Sequence, residues 1–140
     1  ITLDHYKIIF VKFPQPKIFG YRKEKFLGKE VFVEEKEKAI IDSLYLPGYC
    51  PLDETYAALE TDFDLNKLIS YALKMNSIIL LKRLGYLLER SGIKDDSLMA
   101  ALRESVTTGN AKLDPALPAE RLITKWRLWV PKNWAGSGRD

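Results

Sequence analysis

Side chains able to do chemistry are few and scattered in this chain. His5 is its single histidine and Cys50 its single cysteine. One of each is too little for a zinc site of common spacing, and a lone cysteine forms no internal disulfide. His5 precedes a strand-like stretch with no motif around it and reads as a surface or edge histidine. Glu37 and Asp42 stand five residues apart on one predicted helix, hence on different faces. They read as capping or ion-pairing groups rather than as a metal or acid–base pair. Cys50, between Tyr49 and Pro51, has no sequence neighbour that would stabilise a thiolate. With no phosphate-cradling glycine loop and no nucleophile beside a base, the residues point away from an enzyme and require no cofactor or metal.

The richer constellation is basic. Lys82, Arg83 and Arg90 fall on one helical face together with Tyr86, and Lys74 lies just upstream. Such a strip is either a solvated face or a surface for anions, whether a phosphate backbone or the acidic side chains of a partner. The tryptophans pose a similar choice. Trp126 reads as core, Trp129 as an exposed anchor for a partner, and Trp134 as an anchor for the chain's exit.

The element that carries the strip is residues 77–92, SIILLKRLGYLLERSG. Leu80, Leu84, Leu87 and Leu88 share one side of the helix, with Leu81 at its edge, opposite the basic residues. Ser77 can cap the start, Gly92 can end it in the left-handed conformation, and Arg90 suits the last turn. Gly85 is costly inside a helix, by about 1 kcal/mol against alanine, and predicts that another backbone passes close by.

Around this helix the pattern predicts strands at 6–13, 17–22 and 30–34, then a helix carrying Ile40, Ile41 and Leu44 that Pro47 and Gly48 end. A short helix at 51–60 follows, with Asp53 and Glu54 in its first turn, then one capped by Asp64 with Leu65, Leu68, Ile69, Ala72 and Leu73 inward. A fifth helix spans 94–106. Residues 113–122 contain Pro115 and Pro118 and read as a covering loop. Residues 125–130, KWRLWV, alternate so that Trp126, Leu128 and Val130 face one way and Arg127 and Trp129 the other. They predict a late strand that joins the N-terminal sheet.

With 140 residues, 46% of them hydrophobic, the chain suits one domain over 1–134 and a flexible tail at 135–140. The expected class is α+β: a small, mostly antiparallel sheet of N-terminal strands plus the C-terminal strand, packed with about five helices. No run approaches the roughly 20 apolar residues of a membrane span and no signal core opens the chain, so a cytoplasmic protein without a membrane partner is expected. The net charge of +3 permits nucleic acid or an acidic protein as partner without demanding either. The first residue is Ile1 rather than methionine, as in a piece of a longer protein.

Three stretches carry a resemblance: VFVEEKEKAIIDSLYLP at 31–47, LLKRLGYLLERSG at 80–92 and KWRLWVPKNW at 125–134. Together they resemble the C-terminal domain of the AbiEi family. These are antitoxins and predicted transcriptional regulators of type IV toxin-antitoxin systems, which act in abortive phage infection. The family's Glu, basic, Ala, two aliphatics, Asp pattern is matched by Glu37, Lys38, Ala39, Ile40, Ile41 and Asp42. Its basic, Leu, Gly, Tyr, Leu, Leu run is matched by Arg83, Leu84, Gly85, Tyr86, Leu87 and Leu88. The resemblance implies a non-enzymatic antitoxin that counters a cognate nucleotidyltransferase-like toxin. It also implies autoregulation of transcription through a DNA-binding winged-helix domain, which this chain does not contain. The motif residues themselves read as structural. The alternative is a nucleic-acid-binding module that holds DNA or RNA on the basic helix face.

Overall fold

The computed structural model describes residues 1–132; Trp134 and the tail 135–140 lie outside the described residues. The class is α+β. Five helices and three small sheets follow one another along the described chain.

The helices begin where local chemistry places them. In α4 (Ile78–Arg90) the Ser77 hydroxyl accepts from the Leu80 N–H at 3.3 Å. The far end closes through paired bonds from Gly92 N to Glu89 O and from Ile93 N to Leu88 O, with Gly92 at φ +86°. Asp64 caps α3 (Leu65–Lys74) by accepting from Lys67 N at 3.0 Å. Asp95 caps α5 (Asp96–Ser105) through Leu98 N at 3.1 Å. The helices α1 (Lys36–Tyr45) and α2 (Leu52–Ala58) complete the block. Leu44, Leu68, Leu80, Leu84 and Leu87 meet in its core.

The strands depart further from expectation. Of residues 6–13, only β2 (Tyr6–Lys7) pairs, with β1 (Thr2–Leu3). β-branched composition makes no ladder without a partner strand. Of the expected strand at 17–22 only Tyr21 and Arg22 pair, as the start of β3 (Tyr21–Phe26); a 3-10 turn over Gln15–Lys17, where Pro16 fixes the backbone, precedes them. β3 pairs antiparallel with β4 (Lys29–Glu34) through a two-residue turn in which Leu27 and Gly28 both have positive φ.

Residues 113–122 are not all loop. β6 (Ala119–Ile123) lies there and pairs antiparallel with β7 (Leu128–Pro131), whose other edge takes β5 (Ala111–Lys112) in parallel. The C-terminal strand therefore does not join the N-terminal strands, which form separate two-stranded sheets. Its nearest partner in sequence is β6, and a short hairpin closes at much lower entropic cost than a pairing a hundred residues away. The alternation read from KWRLWV does hold at its apolar positions, since Trp126, Leu128 and Val130 are buried.

Candidate functional site

The basic strip is not a surface. Lys82, Arg83 and Tyr86 are 2%, 6% and 2% exposed, as deep as the leucines opposite. Every residue of α4 from Leu80 to Leu88 is buried. A helical wheel assigns polar residues to water, but here the segment around β5 and the Trp126 turn lies over that side. The charged ends are used inside. Lys82 Nζ donates to Thr108 O and Gly109 O, both at 2.7 Å. Arg83 Nε donates to Lys112 O and its Nη1 to Leu44 O, both at 2.9 Å. Burial holds both groups below their ordinary pKa, with nearby Asp114 working the other way for Arg83. The pair fastens the chain at 108–112 onto α4, so these cations do structural work.

The other three residues of the expected set are not drawn into one cluster with them. Lys74 is exposed at the end of α3, with its Nζ 4.3 Å from the centre of the Phe19 ring. Trp129 is 37% exposed on β7, as an accessible anchor requires. Arg90 is part-buried in the last turn of α4.

Gly85 meets a side chain rather than a backbone. A Cβ placed there would lie 2.5 and 2.6 Å from Cη2 and Cε3 of the fully buried Trp126, and closer still to Cζ3. This contact joins the second resemblance stretch to the third, and the Arg83 bond to Leu44 O joins the second to the first. The buried motif residues thus build a core, while Ala39 and Asp42 are half-buried beside a cleft.

Two further surface regions, which share residues, stand out. The first is a cleft of about 350 Å³ between the N-terminal residues and α1. Val11, Phe13, Ile18, Leu46 and Tyr49 supply apolar lining, while Tyr21, Glu34, Asp42, Ser43 and Cys50 supply polar groups. Asp42 Oδ1 accepts from Lys38 Nζ at 2.6 Å, the ion pairing expected for it. Lys38 is wholly buried, donates also to Lys17 O at 2.9 Å, and lies 4.5 Å from the centre of the Phe19 ring. Glu34 is pushed up to about 7 by burial and by its hydrogen bonding and repulsion with Asp42, against a smaller pull from Lys38. Tyr21 is raised as well, by burial first and then by Glu34. Sequence reading weighed Asp42 only against Glu37 and set that pair aside; Glu37 Oε1 accepts from Asp64 N at 3.3 Å, as a capping group would. The real neighbour, Glu34, lies across a strand-to-helix junction that no helical spacing reveals.

The second region is the N-terminal arm, residues 1–34. Among the described residues, 20 large hydrophobic side chains are exposed and 14 of them belong to this arm. Phe26, Leu27 and Phe32, at 67%, 89% and 71% exposure, crown the β3–β4 hairpin. The arm also carries seven basic and four acidic residues, a surplus equal to the whole chain's +3. Neither strand of the hairpin has a second partner among the described residues.

Among the described residues no three His, Cys, Asp or Glu side chains gather as metal ligands, and no helix is long and apolar enough to cross a membrane. The chain matches no protein-family model, no curated protein and no solved structure.

Proposed function

We propose that this chain is the partner-binding domain of an AbiEi-like antitoxin, acting in the cytoplasm against a nucleotidyltransferase-like toxin, and that it meets its partner through the N-terminal arm. The observation that carries this reading is the concentration of exposed apolar side chains in residues 1–34. Exposed apolar side chains gathered in one segment are what a protein interface uses, and an unpaired hairpin offers edges for strand addition. The surplus positive charge of the same arm suits an acidic patch on the partner. The antitoxin identity of the module rests on the resemblance of its three motif stretches, and transcriptional autoregulation belongs to the winged-helix domain which that resemblance implies.

A nucleic-acid module acting through α4 has little left to support it, because the donors of Lys82 and Arg83 are engaged inside. The deciding experiment is rescue of growth during co-expression with a nucleotidyltransferase-like toxin encoded beside the gene. The parent chain should rescue. A Phe26→Asp, Phe32→Asp variant should fold with a stability change under about 0.5 kcal/mol, as exposed substitutions usually do, and fail to rescue. No rescue by the parent would end the antitoxin reading; full rescue by the folded variant would remove the arm as the contact.

A further inference from the structure

The cleft beside α1 has a chemistry that neither core packing nor the antitoxin reading uses. Its volume of about 350 Å³ lies at the low end of small-molecule sites, roughly 300–1,000 Å³. Two carboxyl groups line it, Glu34 from the end of β4 and Asp42 from α1, and the cation that acts on both, Lys38, is bonded to Asp42. One ammonium for two carboxyl groups leaves a negative charge that, without a ligand, is offset only by the proton Glu34 retains. We propose that the cleft binds a small organic amine, its ammonium beside Glu34 and Asp42 and its apolar body against Val11, Phe13 and Ile18. Five of the lining residues, Val11, Phe13, Ile18, Tyr21 and Glu34, also belong to the arm, but the proposal rests on the cleft's own chemistry and is tested without the toxin.

The competing ligands fit less well. An anion would face both carboxyl groups. A calcium ion takes six to eight oxygen ligands and magnesium a near-ideal octahedron, which two carboxyls in an otherwise largely apolar lining do not provide. A neutral molecule would fill the apolar part and leave the charge as it was. An amine does both things: it covers the apolar wall and replaces the proton that Glu34 otherwise keeps close to neutrality. The groups that face Glu34 are Tyr21 from β3 and Asp42 and Lys38 from α1. None of these supplies a second free cation, since Lys38 is already bonded to Asp42 Oδ1 and Lys17 O.

The chain provides its own reporter. Cys50 lines the cleft and is the only cysteine of the sequence, so alkylation by iodoacetamide reads occupancy on the unaltered protein. The probe is 2-phenylethylamine, whose ammonium stays charged below about pH 9; 2-phenylethanol is the uncharged control. The amine should slow alkylation, and calorimetry should give it at least tenfold tighter binding than the alcohol. Its affinity should rise about tenfold between pH 6 and pH 8, as Glu34 yields its proton. Glu34→Gln should abolish the preference for the amine and flatten that pH profile. Absence of protection by the amine up to ~10 mM, equal binding of amine and alcohol, or a pH profile unchanged in Glu34→Gln would each overturn the proposal. If the variant fails to fold, the amine-to-alcohol ratio and the pH profile of the parent protein still decide it.

Discussion

Alanine at position 85 should destabilise the protein although it improves the helix. In an open helix the change from glycine gains about 1 kcal/mol. Here the new methyl would sit within 2.6 Å of ring carbons of Trp126, a side chain with no exposed surface. The indole has little freedom to retreat. Its Nε1 donates to Glu89 Oε2 at 3.3 Å, and its backbone lies in a turn closed by Trp126 N to Ile123 O at 3.2 Å. Overpacking of this kind costs about 1 to 3 kcal/mol, and a displaced buried ring belongs at the upper end. The net expectation for Gly85→Ala is a loss of about 1 to 2 kcal/mol. Urea denaturation followed by far-UV circular dichroism reads it as a lower midpoint at unchanged slope. Trp126→Phe, with a smaller ring, should cost less in the Gly85→Ala background than alone, by about 1 kcal/mol in a double-mutant cycle. A midpoint that stays or rises in Gly85→Ala, or strict additivity of the two changes, would refute the contact.

Arg83→Met should destabilise by about 2 to 4 kcal/mol, because the carbonyls of Lys112 and Leu44 lose a charged donor inside the protein. Lys74→Met, on the exposed end of α3, should stay within about 0.5 kcal/mol, and equal effects in denaturation would contradict the division of the strip. Glu34 has a folded pKa near 7, against an ordinary value of 4.5, so between these values the native state binds more protons than the unfolded chain. Stability should therefore be highest below about pH 5 for this group and fall as pH rises toward 8, by roughly 1 to 2 kcal/mol after allowance for solvent screening. Glu34→Gln should remove that part of the slope and raise the thermal midpoint at pH 8; a variant whose slope matches the parent's would show that Glu34 is not the titrating group.

Helix boundaries were legible where one side chain decides them. Ser77 and Asp64 each accept the N–H three residues on, and the Gly92 ending closes as written. The fate of Lys82 and Arg83 was not legible, because it depends on carbonyls more than 25 residues away that a local pattern cannot see. The same holds for the late strand: alternation placed Trp126, Leu128 and Val130 inward but named no partner, and β6 was hidden by the prolines around it. The Glu34–Asp42 pair escaped because the two lie on different elements. The apolar arm was misjudged for a related reason. Residues 6–13 have strand composition, and composition alone does not distinguish a side chain packed in a core from one left exposed.

On the function proposed above, the arm, and not the basic helix, meets the partner. Amide hydrogen exchange on the chain alone and with the product of any nucleotidyltransferase-like gene encoded beside it tests this residue by residue. Added protection should concentrate in β3 and β4, between Tyr21 and Glu34, whose amides now have at most one ladder partner, while α4 exchanges as it does in the free chain. Protection that appears elsewhere and leaves the hairpin unchanged, or no protection anywhere at saturating toxin, would rule out the arm as the contact.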